Sequence, residues 1–202
     1  MLRLLGSLMR HNRGTAAIEF ALVAPIMVLI MIGMYEGAQI ERADMMLSNA
    51  AAAIADLVGQ QVNGVTGGTS GSLGNFCYAA KKMMTVFPTT GVALGTNGAF
   101  SVAIVSVTNY TVGGVKVDWE SDGSCTVTAT ALGAAAKTIV TSPTSLIPTA
   151  GSPYGDSVIL VHATYVYYSV IQYILPGLFT LTQDAFARPR GDAPISCPSP
   201  CT

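Results

Sequence analysis

One acidic residue lies inside the long apolar run near the N-terminus of this 202-residue chain. Glu19 is the only charged residue between Ala16 and Tyr35. A carboxylate inside a membrane helix is unfavourable by about 2.5–3.5 kcal/mol on insertion scales. We therefore expect Glu19 to have a role that offsets this cost. Pairing with a positive charge is the most direct one.

Cysteines are the second set of residues whose chemistry the sequence suggests. All four follow the apolar run: Cys77, Cys125, Cys197 and Cys201. Four cysteines allow three pairings, and spacing alone does not select one. We favour Cys77–Cys125 and Cys197–Cys201, because a Pro-Ser-Pro turn separates the last two. Disulfides require that this part of the chain lie in an oxidising compartment.

Catalytic and metal-binding motifs are not recognisable in the sequence. No Gly-x-Ser-x-Gly elbow, Walker A loop, His-Glu-x-x-His motif or paired Cys-x-x-Cys motif occurs. We interpret His162 as a structural residue within a strand, and Tyr165, Tyr167 and Tyr168 as core and sheet-surface residues. The sequence therefore predicts a protein that is not an enzyme and that needs no metal or cofactor.

The overall composition is apolar and weakly charged. Hydrophobic residues make up 50% of the chain and charged residues only 10%, and the net charge is −1. About 25% charged residues is typical of soluble domains. Without a basic excess we expect no nucleic-acid partner.

The apolar run has the length of a membrane span. Twenty residues from Ala16 to Tyr35 form about 30 Å of helix, which matches the hydrocarbon core of a bilayer. Arginines precede the run and acidic residues follow it: Arg3, Arg10 and Arg13 before, and Glu36, Glu41 and Asp44 after. The positive-inside rule then places the N-terminus in the cytoplasm and the remainder outside.

The apolar run continues into an amphipathic pattern up to residue 62. Apolar or neutral residues recur there every three or four positions, at Ile40, Ala43, Leu47, Ala50, Ile54, Leu57 and Gln61. This spacing is typical of an amphipathic helix. We predict a basic leader over 1–14 and one helix over 15–62. Pro25 lies inside this helix, as membrane helices tolerate.

Residues 63–202 read as an extracytoplasmic α+β domain. Runs rich in β-branched and aromatic residues predict strands over 99–110, 115–121, 125–132 and 157–170, with turns at Gly113-Gly114 and Asp122-Gly123. Short helices are predicted over 76–87 and 133–140, and the chain after 170 is interpreted as a tail. The fold class is therefore α+β. We expect a long transmembrane and amphipathic helix that packs on a small antiparallel sheet.

The stretch "RGTAAIEFALVAPIMVLI" (13–30) resembles the processing site of type IV pilin-like proteins. Its sequence, including Phe20 and Pro25, most resembles that of the TadE-like pseudopilins of the tight-adherence (Flp-type) pilus machinery. A looser resemblance extends over 99–190, in the V-x-W at Val117–Trp119 and the tail at Ala185–Arg190.

The resemblance implies that a membrane-bound prepilin peptidase cuts between Gly14 and Thr15. Cleavage creates an α-amino group on Thr15, which is mostly positive at neutral pH. Thr15 and Glu19 are four residues apart, so they share a helix face. In an assembled helix bundle, Glu19 could instead pair with the amine of an adjacent subunit.

The expected function is then that of a minor pilin, anchored in the bacterial inner membrane, for an adhesive pilus. Its partners would be the prepilin peptidase, other pilins and pseudopilins, inner-membrane assembly components and the lipid bilayer. The alternative is an unprocessed, signal-anchored periplasmic binding or envelope-scaffold protein. A third class is a membrane-tethered hydrolase, for which a catalytic cluster around His162 would be required.

Overall fold

The computed structural model describes residues 13–87, 100–121, 144–169, 178–191, 193–198 and 201. Two helices and four strands are present in these ranges: α1 Arg13–Gly59, α2 Ser72–Met83, β1 Phe100–Tyr110, β2 Gly114–Glu120, β3 Ser157–Tyr168 and β4 Leu178–Ala187. A single 3₁₀ turn spans Thr144–Leu146. The chain divides into two compact units, Met1–Glu41 and Arg42–Thr202.

The part of α1 that belongs to the second unit carries a continuous buried stripe. Its buried residues recur every three or four positions: Ala43, Leu47, Ala50, Ala51, Ile54, Ala55 and Val58. Exposed residues such as Ser48, Asn49 and Asp56 lie between them. The apolar stripe read from the sequence is therefore the buried face of this helix segment.

The helix ends at Gly59, three residues before the predicted end. Gly59 is buried, and a Cβ there would lie 3.1 Å from the carbonyl oxygen of Arg188. The backbone N–H of Arg190 donates to the carbonyl oxygen of Gly59 at 3.0 Å. This bond satisfies one of the carbonyls that a helix end leaves unpaired. The chain that leaves β4 therefore caps α1.

The four strands form one antiparallel sheet in the order β2-β1-β3-β4. A tight turn at Gly113 and Gly114 joins β1 to β2, and both glycines have positive φ, +93° and +68°. Between β1 and β2 the register shifts after the pair Ser106–Trp119, so the next pair is Val107–Val117. Asp118 is the extra residue of this β-bulge.

Each face of the sheet contributes to the core. On the α1 side, the Gln183 amide of β4 donates to Asp44 Oδ1 at 2.8 Å, and Phe87 packs with its ring centroid 6.3 Å from Tyr165 and 6.1 Å from Tyr167. The opposite face holds a second buried apolar cluster, consisting of Ala103, Val105, Val107, Val115, Val117, Val158, Leu160 and, from a loop, Ile147. The sheet is thus buried on both faces along β1, so that nine of the eleven β1 residues are buried.

The predicted α+β class, with a long N-terminal helix and a small antiparallel sheet, is confirmed. The tail interpretation is wrong at residues 178–187, which form β4. The second helix begins at Ser72 rather than at Phe76. The predicted strand 125–132, helix 133–140, Asp122-Gly123 turn and most of the 1–14 leader lie outside the described residues.

Candidate functional site: an exposed apolar helix and a hydroxyl-bound aspartate

The first unit consists of an apolar helix segment whose side chains are exposed. Ile18 and Leu22 are 71% and 74% exposed, and the large apolar residues from Phe20 to Tyr35 are exposed as well, except for the half-buried Ile32. The 18-residue window that best fits a membrane span has a mean hydropathy of 2.4 and no buried residue. Exposed apolar surface of this extent is stable in a bilayer and not in water.

The residues predicted to act in processing lie at the start of this segment. α1 begins at Arg13, so the Gly14–Thr15 bond falls in its first turn. Thr15 and Glu19 are both exposed and lie one helical turn apart. Phe20 follows on the exposed surface, and Pro25 lies inside the helix without ending it. Glu19 makes no ion pair with any residue that the structure describes.

The cysteines lie in the second unit. Cys197 and Cys201 form a disulfide, with their Cα atoms 5.8 Å apart. Cys77 is buried in α2 and is also disulfide-bonded. Its predicted partner, Cys125, lies outside the described residues.

His162 has a carboxylate partner that the sequence did not reveal. Its Nδ1 lies 2.6 Å from Asp184 Oδ1 across the β3–β4 pair, and the Asp184 side chain is about half exposed. In the described part of the chain, no serine or cysteine side chain hydrogen-bonds to the ring. A nucleophile next to the base is what a hydrolytic triad requires. Nor does a group of three or more potential metal ligands occur among the described residues.

Asp118 is the centre of a polar cluster that sequence reasoning missed. Its Oδ2 accepts hydrogen bonds from Ser106 Oγ at 3.2 Å and Thr108 Oγ1 at 2.5 Å, and its Oδ1 accepts from Tyr110 OH at 2.5 Å. The pKa of Tyr110 is raised to about 12, mainly by burial and secondly by the hydrogen bond to Asp118. Alternating hydroxyl residues at 106, 108 and 110, facing Asp118 across a hairpin, were the available signal.

The fold and the exposed helix define a class of protein: an α+β domain on an N-terminal helix that fits a single-pass membrane anchor. Residues 14–56 match the family model described as TadE-like protein. This match confirms the resemblance to TadE-like proteins that was read from residues 13–30. Comparisons with curated proteins and with solved structures gave no match.

Proposed function

We propose that the protein is a membrane-anchored minor pilin (pseudopilin) of a tight-adherence, Flp-type pilus system, processed by a prepilin peptidase between Gly14 and Thr15. The TadE-like match over 14–56 indicates involvement in such pilus systems. The observation that carries the finer proposal is the acidic residue Glu19, exposed on an apolar helix one turn after Thr15. A buried carboxylate in lipid needs a positive partner, and cleavage would supply one.

In this proposal the first helical turn acts as an assembly element. The new amine on Thr15 and the carboxylate of Glu19 pair within one chain or between neighbouring chains. Pairing lowers the cost of holding either charge in lipid. The exposed apolar surface of α1 would hold the protein in the inner membrane and pack laterally against other pilin helices, with the leader in the cytoplasm and the sheet unit in the periplasm. Its partners would be the peptidase, other pilins and the inner-membrane assembly components. The protein would be a substrate of an enzyme and not itself an enzyme.

N-terminal sequencing of the protein from its native membrane tests the cleavage. We expect a chain that starts at Thr15. In Gly14→Val the Cβ and its methyl groups should obstruct the peptidase, so the chain should keep its leader. Gly33→Val, in the same helix and with no heavy atom within 4 Å of the added Cβ, is the matched control and should be cleaved normally. A wild-type start at Met1 would support the unprocessed signal anchor.

The charge-pairing role is tested separately from the cleavage. Glu19→Ala should be cleaved as efficiently as the wild type but should give fewer surface pili and weaker surface attachment and biofilm. Glu41→Ala removes another exposed carboxylate of the same helix and should leave piliation unchanged. Normal piliation in Glu19→Ala would refute the pairing and leave the cleavage proposal standing.

A further inference from the structure

A cavity of about 410 Å³ lies in the second unit, between the β1–β2 hairpin and the C-terminal segment 193–197. Three aromatic side chains, Tyr110, Trp119 and Tyr154, line it together with the carboxylate of Asp118. Pockets that take small molecules have volumes of roughly 300–1,000 Å³ and mostly apolar, aromatic walls with a few polar groups. This cavity has that size and composition.

The C-terminal wall of the cavity is held in place by specific bonds. Trp119 Nε1 donates to the carbonyl oxygen of Ile195 at 2.6 Å, and the backbone N–H of Val65 donates to the carbonyl oxygen of Ser196 at 2.8 Å. The Cys197–Cys201 disulfide closes the next turn of the chain. A wall that is fixed before binding loses little conformational freedom when a ligand enters.

The charge in the cavity is negative. All three hydrogen-bond donors to Asp118 are neutral hydroxyls, from Ser106, Thr108 and Tyr110. The two ion pairs found among the described residues involve other carboxylates. No lysine or arginine of the described chain lines this cavity. Lys116 and Asp118 both line an adjacent cavity of about 360 Å³, but they form no ion pair there. The lining thus combines aromatic rings with an anion that lacks a cationic partner in the part of the chain described.

We propose that this cavity binds an organic quaternary ammonium ion, of the kind found in choline. Aromatic rings and a carboxylate both attract cations, and rings favour weakly hydrated ones. A carboxylate has about four acceptor positions, and the hydroxyls already occupy three at Asp118. A primary ammonium group, with three N–H donors, would find few acceptors there. A quaternary ammonium needs none. This binding site is independent of cleavage at Gly14.

The chain contains one tryptophan, Trp119, and it lies in the cavity wall. Its fluorescence therefore reports binding in the full-length protein. We would titrate choline chloride into the protein in a polyoxyethylene detergent, at constant ionic strength kept with sodium chloride. The neutral isostere 3,3-dimethyl-1-butanol has the same shape without the charge. We expect a saturable change in Trp119 fluorescence with choline, and at least tenfold weaker binding of the neutral alcohol.

Two variants locate the site. Asp118→Asn removes the charge, and Tyr154→Leu removes a ring that is 38% exposed and outside the core. Each should raise the Kd for choline at least tenfold. Asp184→Asn and Tyr78→Leu are the matched controls, because both side chains are exposed and neither lines the cavity. Asp118→Asn could disturb folding. The deciding test of the binding site is therefore Tyr154→Leu, provided that its unfolding midpoint equals that of the wild type.

Four results would overturn the proposal. Equal binding of the neutral alcohol would show simple apolar binding. Tighter binding of N-acetyl-lysine amide than of choline would show a site for a primary ammonium. Saturation by methyl glucoside without saturation by choline would show a carbohydrate site. An equal loss of choline affinity in Asp184→Asn and Asp118→Asn would show that choline does not bind in this cavity.

Discussion

Leu47→Ala tests whether the second half of α1 is part of the protein core. The Leu47 side chain is 0% exposed and is the largest aliphatic residue, together with Ile54, in the buried stripe of α1. The substitution removes three carbon atoms, which at about 0.8 kcal/mol per buried CH₂ corresponds to about 2.4 kcal/mol of lost transfer free energy. The cavity that remains adds to this loss, so the expected decrease in the free energy of unfolding is about 2–5 kcal/mol. This is a large part of the roughly 5–15 kcal/mol that stabilises a typical domain.

Urea unfolding of the full-length protein in detergent, followed by Trp119 fluorescence, measures this loss. Trp119 is 4% exposed in the sheet unit, so its emission should shift when that unit unfolds. Met45→Ala is the matched control, because Met45 lies two residues away in α1 and is 54% exposed. It should change the free energy of unfolding by less than about 0.5 kcal/mol.

Equal changes in the free energy of unfolding for Leu47→Ala and Met45→Ala would refute the placement of this helix segment in the core. The stripe 43–58 would then be buried only by lipid or detergent, and the helix would serve purely as an anchor. A large effect at Leu47 alone would mean that one helix is both membrane segment and structural core element.

Three further predictions concern the sheet unit. Gly113→Ala should destabilise it by about 1–2 kcal/mol, because φ is +93° there. Gly114→Asn should destabilise it less, since Asn tolerates φ of +68° and no heavy atom lies within 4 Å of the added Cβ. Equal urea midpoints for the two variants would contradict this prediction. The pKa of Tyr110 is raised from 10.0 to about 12, so the folded state holds the phenol proton more tightly. This contribution to stability is present below pH 10 and is lost as the pH rises toward 12. Tyr110→Phe should therefore lose less stability than the wild type between about pH 10 and about pH 12. Asp184→Asn, which breaks the exposed pair with His162, should change the free energy of unfolding by less than about 1 kcal/mol; a larger loss in the same assay would mean that the pair has a structural role beyond its surface position.

The periodicity of apolar residues in the sequence predicted the helix and strands that have a regular burial pattern. α1 has a three-to-four residue apolar repeat, and β1 and β3, the two central strands of the sheet, are rich in β-branched residues. The Gly113-Gly114 turn was recognisable because glycine adopts positive φ without strain.

β4 was missed because its alternation is interrupted. Gln183 takes a position on the helix-facing side, where an apolar residue would be expected, and its amide bonds to Asp44 instead. That partner is 139 residues away in the chain. The start of α2 was hidden for a related reason: the Gly/Ser/Thr stretch before it reads as a loop, yet Thr66 and Ser72 bond to each other there, with Thr66 N–H donating to Ser72 Oγ at 2.8 Å.

The position of Trp119 beside Asp118 could not be predicted from spacing alone, because it depends on the bulge. The hairpin register places Asp118 on the side of β2 that faces Ser106, Thr108 and Tyr110, whereas regular alternation would place Trp119 on the opposite side. The shift after the Ser106–Trp119 pair brings the indole to the same side as Asp118. A local irregularity of the ladder thus forms one wall of the cavity.

This bulge makes β2 intolerant of changes in length. Deleting or inserting one residue between Val117 and Trp119 would restore or displace the ladder and rotate the indole away from the carbonyl of Ile195. Length variation among natural variants should therefore accumulate at the hairpin tip near Gly114, where open space surrounds the chain, and be purged from the three residues that follow Lys116.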